Sequence, residues 1–247
     1  MKPLLITSLA VAGLVIGCGQ RAVVFRYAVP ASEPPRRRCR ACGHPVLAGQ
    51  WWPWPLPAPS GRCRPCRARI GPPLLAVEAT TAILLGALAS MLHPGLVLGA
   101  ACWLAICAVP LAFIDAAVHR LPDALTGAAY AGTAAFLLLA AATSGQWNNL
   151  IRAGLGGIAL TAFYLVLFFV YPSGMGLGDS KMSASMGSLL AWSGWSTLLA
   201  GAFAGFLLAA VYGIALLMLG RATRKQLIAF GPFMIAGAFL VITAYPV

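Results

Sequence analysis

Apolar residues occur along the chain in long runs that short polar or glycine- and proline-rich connections separate. Runs of about 17–25 apolar residues are long enough to cross the hydrocarbon core of a bilayer as a helix. The pattern predicts eight such helices, at residues 4–20, 72–92, 96–114, 124–143, 150–172, 181–193, 196–219 and 230–246. The sixth is short for a bilayer crossing. The sequence therefore predicts an all-α, polytopic membrane protein.

One polar segment is long enough to form a small lobe of its own. We divide the chain into a first transmembrane helix at 1–20, an arginine-rich loop at 21–71 and a transmembrane core at 72–247. The first helix has the early positive charge and short apolar region of a cleaved signal peptide, with a lipoprotein-like site at Cys18. We expect it to be retained, because lipoprotein processing would send the arginine-rich loop outside.

Composition supports a membrane protein and bears on possible partners. The chain is 60% apolar and 9% charged, whereas soluble domains carry about 25% charged residues. The net charge of +12 is not accompanied by a basic helix or an aromatic–basic surface, so we do not expect nucleic acid as a partner. In a polytopic protein a basic excess sets orientation, since Lys and Arg concentrate in cytoplasmic loops.

The basic residues test the number of helices. If the loop at 21–71 is cytoplasmic, eight helices place 15 of the 17 basic residues in cytoplasmic loops. Only Lys2 and Arg152 then lie outside, and both chain ends face outward. A wrong number of helices would scatter the charges over both sides, so the distribution favours this topology.

Four of the seven cysteines form two C-x-x-C pairs, Cys39 with Cys42 and Cys63 with Cys66, which 20 residues separate. Each pair can supply two thiolates to a tetrahedral zinc ion, and such a site has a structural role because no coordination position stays open. The alternatives are two redox dithiols or a site left empty. His44 is a possible substitute ligand, although we expect it to be a surface residue.

The chain has only five acidic residues, Glu33, Glu78, Asp115, Asp123 and Asp179. We expect Glu33 to be solvated. Glu78 lies about a turn into the second helix, where a charge is costly and indicates either a functional role or an arginine partner. Asp123 follows a proline and begins the fourth helix, where a carboxylate favours the positive end of the helix dipole.

Asp115 and Asp179 are harder to explain as structural residues. Asp115 ends the third helix, where the dipole disfavours an anion, and Asp179 follows glycines that permit positive φ and close backbone approach, Gly174, Gly176 and Gly178. Both lie on the side of the membrane predicted to be cytoplasmic. They are candidates for an acid–base pair in which one carboxylate takes a proton from water and the other protonates a carbonyl. The alternative is two unrelated, solvated aspartates.

These motifs, in this order, resemble those of bacterial type IV prepilin peptidases, a class of G-x-G-D intramembrane aspartyl proteases. "GMGLGDSKM" contains G-x-G-D-x-K, "IDAAVHRLPDALT" contains D-x5-L-P-D-x-L-T, and the cysteine pairs follow the first helix. The resemblance extends from the end of the first helix to about residue 190.

The resemblance implies residue roles, a substrate class and a location. It implies that Asp115 and Asp179 are the catalytic aspartates. The implied supporting residues are Gly176, Gly178, Lys181, Asp123 and Glu78, and the implied zinc ligands are Cys39, Cys42, Cys63 and Cys66. The implied activity is removal of the basic leader of prepilins or pseudopilins, after a glycine, at the cytoplasmic face of the inner membrane. The partners are then these substrates and the lipid bilayer.

Many members also methylate the new N-terminus with S-adenosylmethionine. Between the cysteine pairs, members usually carry acidic residues, whereas this chain has "VLAGQWWPWPLPAPS", so methylation stays open. Two other functions also stay open from the residues alone. One is a proton-coupled transporter that uses the intramembrane carboxylates, and the other is a non-catalytic assembly factor that binds partners through the cysteine loop.

Overall fold

The computed structural model describes residues 2–30, 33–46, 61–73, 75–171, 176–221 and 229–244. Over these ranges the chain forms eight α-helices and no strand beyond two isolated bridges in the cysteine loop. The helices are α1 (Lys2–Tyr27), α2 (Ala76–Met91), α3 (Leu96–Val118), α4 (Asp123–Ser144), α5 (Trp147–Val170), α6 (Leu177–Ser193), α7 (Trp195–Met218) and α8 (Gly231–Ala244). The all-α prediction is confirmed.

Each predicted span corresponds to one helix. Five helices, α1, α3, α4, α5 and α7, are long and apolar enough to cross a membrane, and α2, α6 and α8 are shorter. Several boundaries differ from the prediction by a few residues, and the differences include two near functional motifs: α1 continues to Tyr27, and α6 begins at Leu177. Asp179 therefore lies in the first turn of a helix and not in a connecting loop. A carboxylate is favourable at this position, because the start of a helix is the positive end of its dipole.

The helices alternate in direction, as the eight-span pattern requires. At one end of the bundle, Arg120 before α4 donates a hydrogen bond to the carbonyl of Pro30 after α1, at 3.4 Å. At the same end, Lys181 of α6 forms an ion pair with Asp123 of α4, at 2.7 Å. The connections predicted to share one side of the membrane thus lie together.

The connections predicted for the other side meet around a cavity of about 490 Å³. Its lining comes from the α2–α3 connection, the α4–α5 connection and Trp192 near the end of α6. Arg152, predicted on this side, donates to the carbonyls of Ala191 and Trp192. The guanidinium thus satisfies carbonyl groups that the last turn of α6 leaves without helical partners.

Glycines allow three helix pairs to approach closely. A β-carbon on Gly13 of α1 would lie 2.6 Å from the backbone of Ala82 in α2. A β-carbon on Gly187 of α6 would lie 2.8 Å from the Gly156 carbonyl oxygen of α5, and α7 and α8 approach similarly at Gly205. Small residues at such contacts are typical of helices that associate in lipid, where van der Waals packing replaces the hydrophobic effect.

A proline in α3 is compensated by a side chain from α1. Pro110 has no N–H, so the carbonyl of Ile106 loses its helical donor. Gln20 Nε2 donates to that carbonyl at 2.8 Å, and Thr81 of α2 donates to Gln20 Oε1 at 2.5 Å. One glutamine therefore joins α1, α2 and α3 through hydrogen bonds below the end of the bundle that carries Asp115.

Glu78 forms a buried ion pair with Arg21, one of the alternatives considered for it. Arg21 Nη2 lies 2.6 Å from Glu78 Oε2, and Nε lies 2.8 Å from Oε1, so the contact is bidentate. The two side chains are only 3% and 7% exposed. The pair links the end of α1 to the start of α2 and has no contact with Asp115 or Asp179 among the described hydrogen bonds.

Glu78→Ala is expected to destabilise the folded protein, because it leaves the Arg21 guanidinium buried without its counter-charge. Breaking one partner of a buried pair costs about 3–5 kcal/mol. Thermal unfolding in detergent should show a clearly lower Tm. The control is Glu33→Ala, which removes the exposed Glu33–Arg40 pair and should change the Tm little. Equal Tm values for the two variants would contradict a stabilising role for the buried pair.

Candidate active site

Asp115 is held at the end of α3 by a hydrogen bond from another helix. Its side chain is buried, and Oδ2 accepts the backbone N–H of Gly231 at 3.1 Å. Gly231 is the first residue of α8, so its N–H has no partner within that helix. The positive end of α8 thus offsets the unfavourable position of an anion at the C-terminal end of α3.

Asp179 is held by the start of its own helix. Its Oδ2 accepts the backbone N–H of Gly176 at 3.2 Å, and its N–H donates to the Gly176 carbonyl at 3.1 Å. This reciprocal contact resembles half of a capping box. Asp179 is 5% exposed, as is Asp115, so neither carboxylate is a solvated group at a loop edge.

Gly231 brings the two carboxylates together. A β-carbon built on this glycine would lie 2.6 Å from Asp115 Oδ2 and 3.2 Å from Asp179 Oδ1. The two oxygens are therefore at most 5.8 Å apart, the sum of these distances. Any side chain at position 231 would occupy the space between the carboxylates.

One oxygen of the pair is free to act on another group. Asp179 Oδ1 is buried and has no hydrogen-bond partner among the described residues, whereas Asp179 Oδ2 and Asp115 Oδ2 each accept a backbone N–H. Buried polar atoms are rarely left unpaired, and exceptions are often found at catalytic sites. Of the four oxygens of the pair, the backbone thus holds two, and Asp179 Oδ1 is available to another group.

Aromatic rings support the turn before Gly231. Phe230 packs against Phe206 of α7 and Tyr164 of α5, with ring centroids 4.9 and 5.7 Å apart. Tyr164 is fully buried, and its hydroxyl has no hydrogen-bond partner among the described residues. The rings fix the start of α8 against α5 and α7, and so fix the N–H that holds Asp115.

Gly176 and Gly178 are used differently from our expectation. Neither adopts positive φ: Gly176 is extended, with φ −87°, and Gly178 lies within α6. The expected close approach occurs at Gly178, where a β-carbon would lie 2.7 Å from Leu121 Cβ. Gly178 therefore lets the first turn of α6 pack on the α3–α4 connection. Gly174 lies outside the described residues.

Asp123 and Lys181 lie outside the buried pair. Asp123 begins α4, as predicted, and its carboxylate pairs with the Lys181 ammonium. Their side chains are 76% and 53% exposed, so Asp123 is not positioned with the buried carboxylates. The ion pair joins the start of α4 to the first turn of α6, two residues after Asp179.

The four cysteines of the C-x-x-C pairs converge on one point. All four Sγ atoms lie within 4.8 Å of one another, and those of Cys39 and Cys66, and of Cys42 and Cys63, are 3.6 Å apart. Sulfurs bound tetrahedrally at 2.3 Å from zinc are about 3.8 Å apart, and disulfide sulfurs are far closer. The cluster can hold a metal ion.

The two C-x-x-C turns have the same backbone structure. In each, the first cysteine N–H donates to the carbonyl five residues later, of His44 or Ala68. In each, the first cysteine's carbonyl accepts the N–H four residues later, from Gly43 or Arg67, which both have positive φ. The N–H groups of Cys42 and Ala41 lower the pKa of the Cys39 thiol to about 7. His44 is exposed, as expected.

Gly231, Phe230 and Tyr164 were not identified from the sequence. "FGPF" predicts only the start of the last helix, because proline is common at the first position of a helix. Tyr164 had no such signal, because it is one of several aromatic residues in an apolar run.

Comparisons with known proteins identify the family of this chain. Residues 98–218 match the type IV leader peptidase family, a range that contains both aspartates and excludes the cysteine cluster. A prepilin leader peptidase/N-methyltransferase of Aeromonas salmonicida (strain A449) is 35% identical over 217 residues, which cover 82% of this chain and 69% of the relative.

Two further relatives carry the same name. The Aeromonas hydrophila protein is 36% identical, covering 82% of this chain and 70% of its own length, and the Pseudomonas aeruginosa protein is 32% identical with the same coverage. No solved structure matches the chain significantly. Similarity of this extent, over most of both proteins, shows that the chain belongs to the type IV leader peptidase family.

Proposed function

We propose that this protein is a membrane aspartyl endopeptidase that removes the leader peptide of prepilins or pseudopilins, with Asp115 and Asp179 as the catalytic residues. The observation that carries the proposal is the convergence of two buried carboxylates on Gly231. The family and the names of the curated relatives support the substrate class. Nothing in the described contacts favours the transporter alternative.

The arrangement supports hydrolysis through an acid–base pair. In such a pair one carboxylate takes a proton from the attacking water, and the other, protonated, donates to the scissile carbonyl. Asp179 Oδ1 is free to accept the water proton, since the backbone holds the other oxygen of that group. Asp115 is then the group that protonates the carbonyl, and the leaving amine finally receives a proton from the pair.

The charge distribution supports a cytoplasmic location for this end of the bundle. The arginine-rich loop, Arg120 and Lys181 lie at the end that carries both aspartates, and Lys2 and Arg152 lie at the other. Basic residues concentrate in cytoplasmic loops of inner-membrane proteins. A leader cut here would protrude into the cytoplasm, and cleavage after a glycine is the specificity that the resemblance implies.

Asp115→Asn and Asp179→Asn are each expected to abolish processing, because the amide neither accepts nor donates a proton as a carboxyl group does. General acid–base catalysis contributes about 10²–10⁴-fold to a rate. The measurement is conversion of a co-expressed type IV prepilin of Aeromonas hydrophila to the shorter mature form on a gel. Asp123→Asn, which changes an exposed carboxylate at the same end, should retain most activity. Processing by both Asn variants would refute the proposed mechanism.

Gly231→Ala is expected to reduce processing by about a hundredfold, the effect of displacing reacting groups by around 1 Å. The added methyl group would lie 2.6 Å from Asp115 Oδ2 and must move that carboxylate or α8. Gly154→Ala is the matched control, since a β-carbon there meets nothing within 4 Å. The rate of prepilin conversion and the Tm of both variants should be compared. Wild-type rates for Gly231→Ala would show that the spacing of the carboxylates is not critical.

We propose that the cysteine cluster binds structural zinc and stabilises the lobe at 21–71 beside the catalytic core at 72–247. The four sulfurs fit a tetrahedral ion, and the lobe has only a small apolar core, around Phe25, Val46 and Ile70. Bound metal would join the two turns, whose 47–60 connector lies outside the described residues. A four-thiolate site offers no open position for catalysis.

Metal analysis by mass spectrometry tests the zinc site. The purified wild-type protein is expected to contain about one zinc ion per chain, and Cys63→Ser is expected to lose most of it. Cys107→Ser, which changes a buried thiol of α3 outside the cluster, should retain the metal. Equal zinc content in the two variants would contradict the assignment of the cluster as the metal site.

Methylation of the product is not part of this proposal. The relatives' names include N-methyltransferase, but no described residue is identified as binding S-adenosylmethionine, and most of the acid-free connector lies outside the described ranges. Mass spectrometry of the mature N-terminus would determine whether the amine is methylated.

A further inference from the structure

An apolar trough runs along an exposed side of the bundle, and one of its lining residues, Pro232, directly follows Gly231. Its walls are α2 and α8, its floor is α3, and its volume is about 440 Å³. The α2 wall uses positions i, i+3, i+4 and i+7 from Thr80, and the α8 wall repeats this spacing from Pro232 to Thr243. Each wall is therefore one face of a helix, and the α8 wall is about 16 Å long.

The trough offers no polar group to a ligand. Its two hydroxyl groups, on Thr80 and Thr243, donate to carbonyls of their own helices, at 2.7 and 2.9 Å. All other lining residues are apolar. Ile83 on the α2 wall is 72% exposed and Leu240 on the α8 wall is 56% exposed, so the trough opens toward the lipid. An occupant must be apolar, elongated and able to enter from the bilayer.

One end of the trough lies next to the aspartate pair, although neither carboxylate lines it. Pro232 of the α8 wall directly follows Gly231, which donates to Asp115. Phe113 and Ala112 of the floor are two and three residues before Asp115. An elongated occupant that fills the trough therefore has its end beside the carboxylates, whereas the rest of its length lies deeper in the membrane.

We propose that this α2/α3/α8 trough is the docking site for the apolar transmembrane helix of the substrate. The proposal rests on the proposed function, since a substrate of this peptidase must present a peptide bond to Asp115 and Asp179. Parallel helical walls fit an apolar helix by the same side-chain spacing that governs helix-in-groove recognition. A helix seated here begins at the aspartates, so the bond that precedes it is the bond that is cut.

A lipid acyl chain is the competing occupant, and charge does not distinguish the two. Continuity with the carboxylates favours the substrate helix, because a lipid has no reason to end at that point. The trough would also select the site of cleavage, since the distance from its Pro232 end to the carboxylates fixes how far before the helix the bond must lie.

The first test fills the trough. Ala236 is an exposed alanine on the α8 wall, and Ala135 is an exposed alanine on α4 outside the trough. Ala236→Phe and Ala135→Phe in the full chain, reconstituted in vesicles, are assayed on the full-length A. hydrophila prepilin and on a soluble peptide that contains the cleaved bond but only the first few residues of the apolar helix.

Ala236→Phe is expected to lower kcat/KM for the full-length prepilin at least about tenfold, the effect of a single steric clash in an apolar site. It should cleave the soluble peptide within about twofold of wild type, because the aspartates are unchanged. Ala135→Phe should match wild type on both. Equal behaviour of the two variants on the full-length prepilin, or an equal loss on both substrates for Ala236→Phe, overturns the docking proposal.

The second test identifies the occupant. A photo-crosslinking benzoylphenylalanine replaces Ile83 in the trough or Leu199 on α7, which are 72% and 69% exposed, in an Asp179→Asn background. Capture of the prepilin's apolar segment from position 83 and not from 199 supports the proposal. Capture of lipid alone from position 83, or equal capture of prepilin from both positions, overturns it. If the wild type cleaves neither substrate, the proposed function itself is wrong.

Discussion

A carboxylate inside an apolar helical bundle must receive its hydrogen bonds from the protein, because the hydrocarbon around the bundle supplies none. Both buried aspartates meet this constraint with backbone N–H groups at the starts of helices: Asp115 uses Gly231 of α8, and Asp179 uses Gly176 before α6. Helix starts are where such N–H groups are unpaired. The starts of α6 and α8 must therefore lie at the same end of the bundle, where their N–H groups can donate to the two carboxylates.

The same constraint explains how the rest of the bundle is joined. Gln20 satisfies the carbonyl that Pro110 leaves unpaired, Arg152 satisfies the last carbonyls of α6, and Arg21 pairs with Glu78. Each contact links different helices, and a buried polar group without a hydrogen-bond partner would be costly. Polar groups are few in this chain, and these contacts connect segments that are far apart in sequence.

Local sequence patterns predicted the helices well, because apolar length in a membrane is set by bilayer thickness. The cysteine spacing and the order of the aspartate motifs also sufficed to indicate which side chains to examine. Gly231 could not be found this way, since its role depends on α8 returning to α3 across 116 residues. The trough could not be predicted either, because its two walls and its floor come from segments that are separate in sequence. The positive φ expected of Gly176 is also not found, because this residue is extended at the start of α6.

Helix α8 belongs to two parts of the molecule at once. Its first N–H holds Asp115, and its next three turns form one wall of the trough. A substitution in α8 can consequently affect both substrate binding and the position of Asp115. The α2 residues line only the trough. A change of substrate preference during evolution would thus be tolerated more readily on α2 than on α8, so the two walls should diverge at different rates among related enzymes.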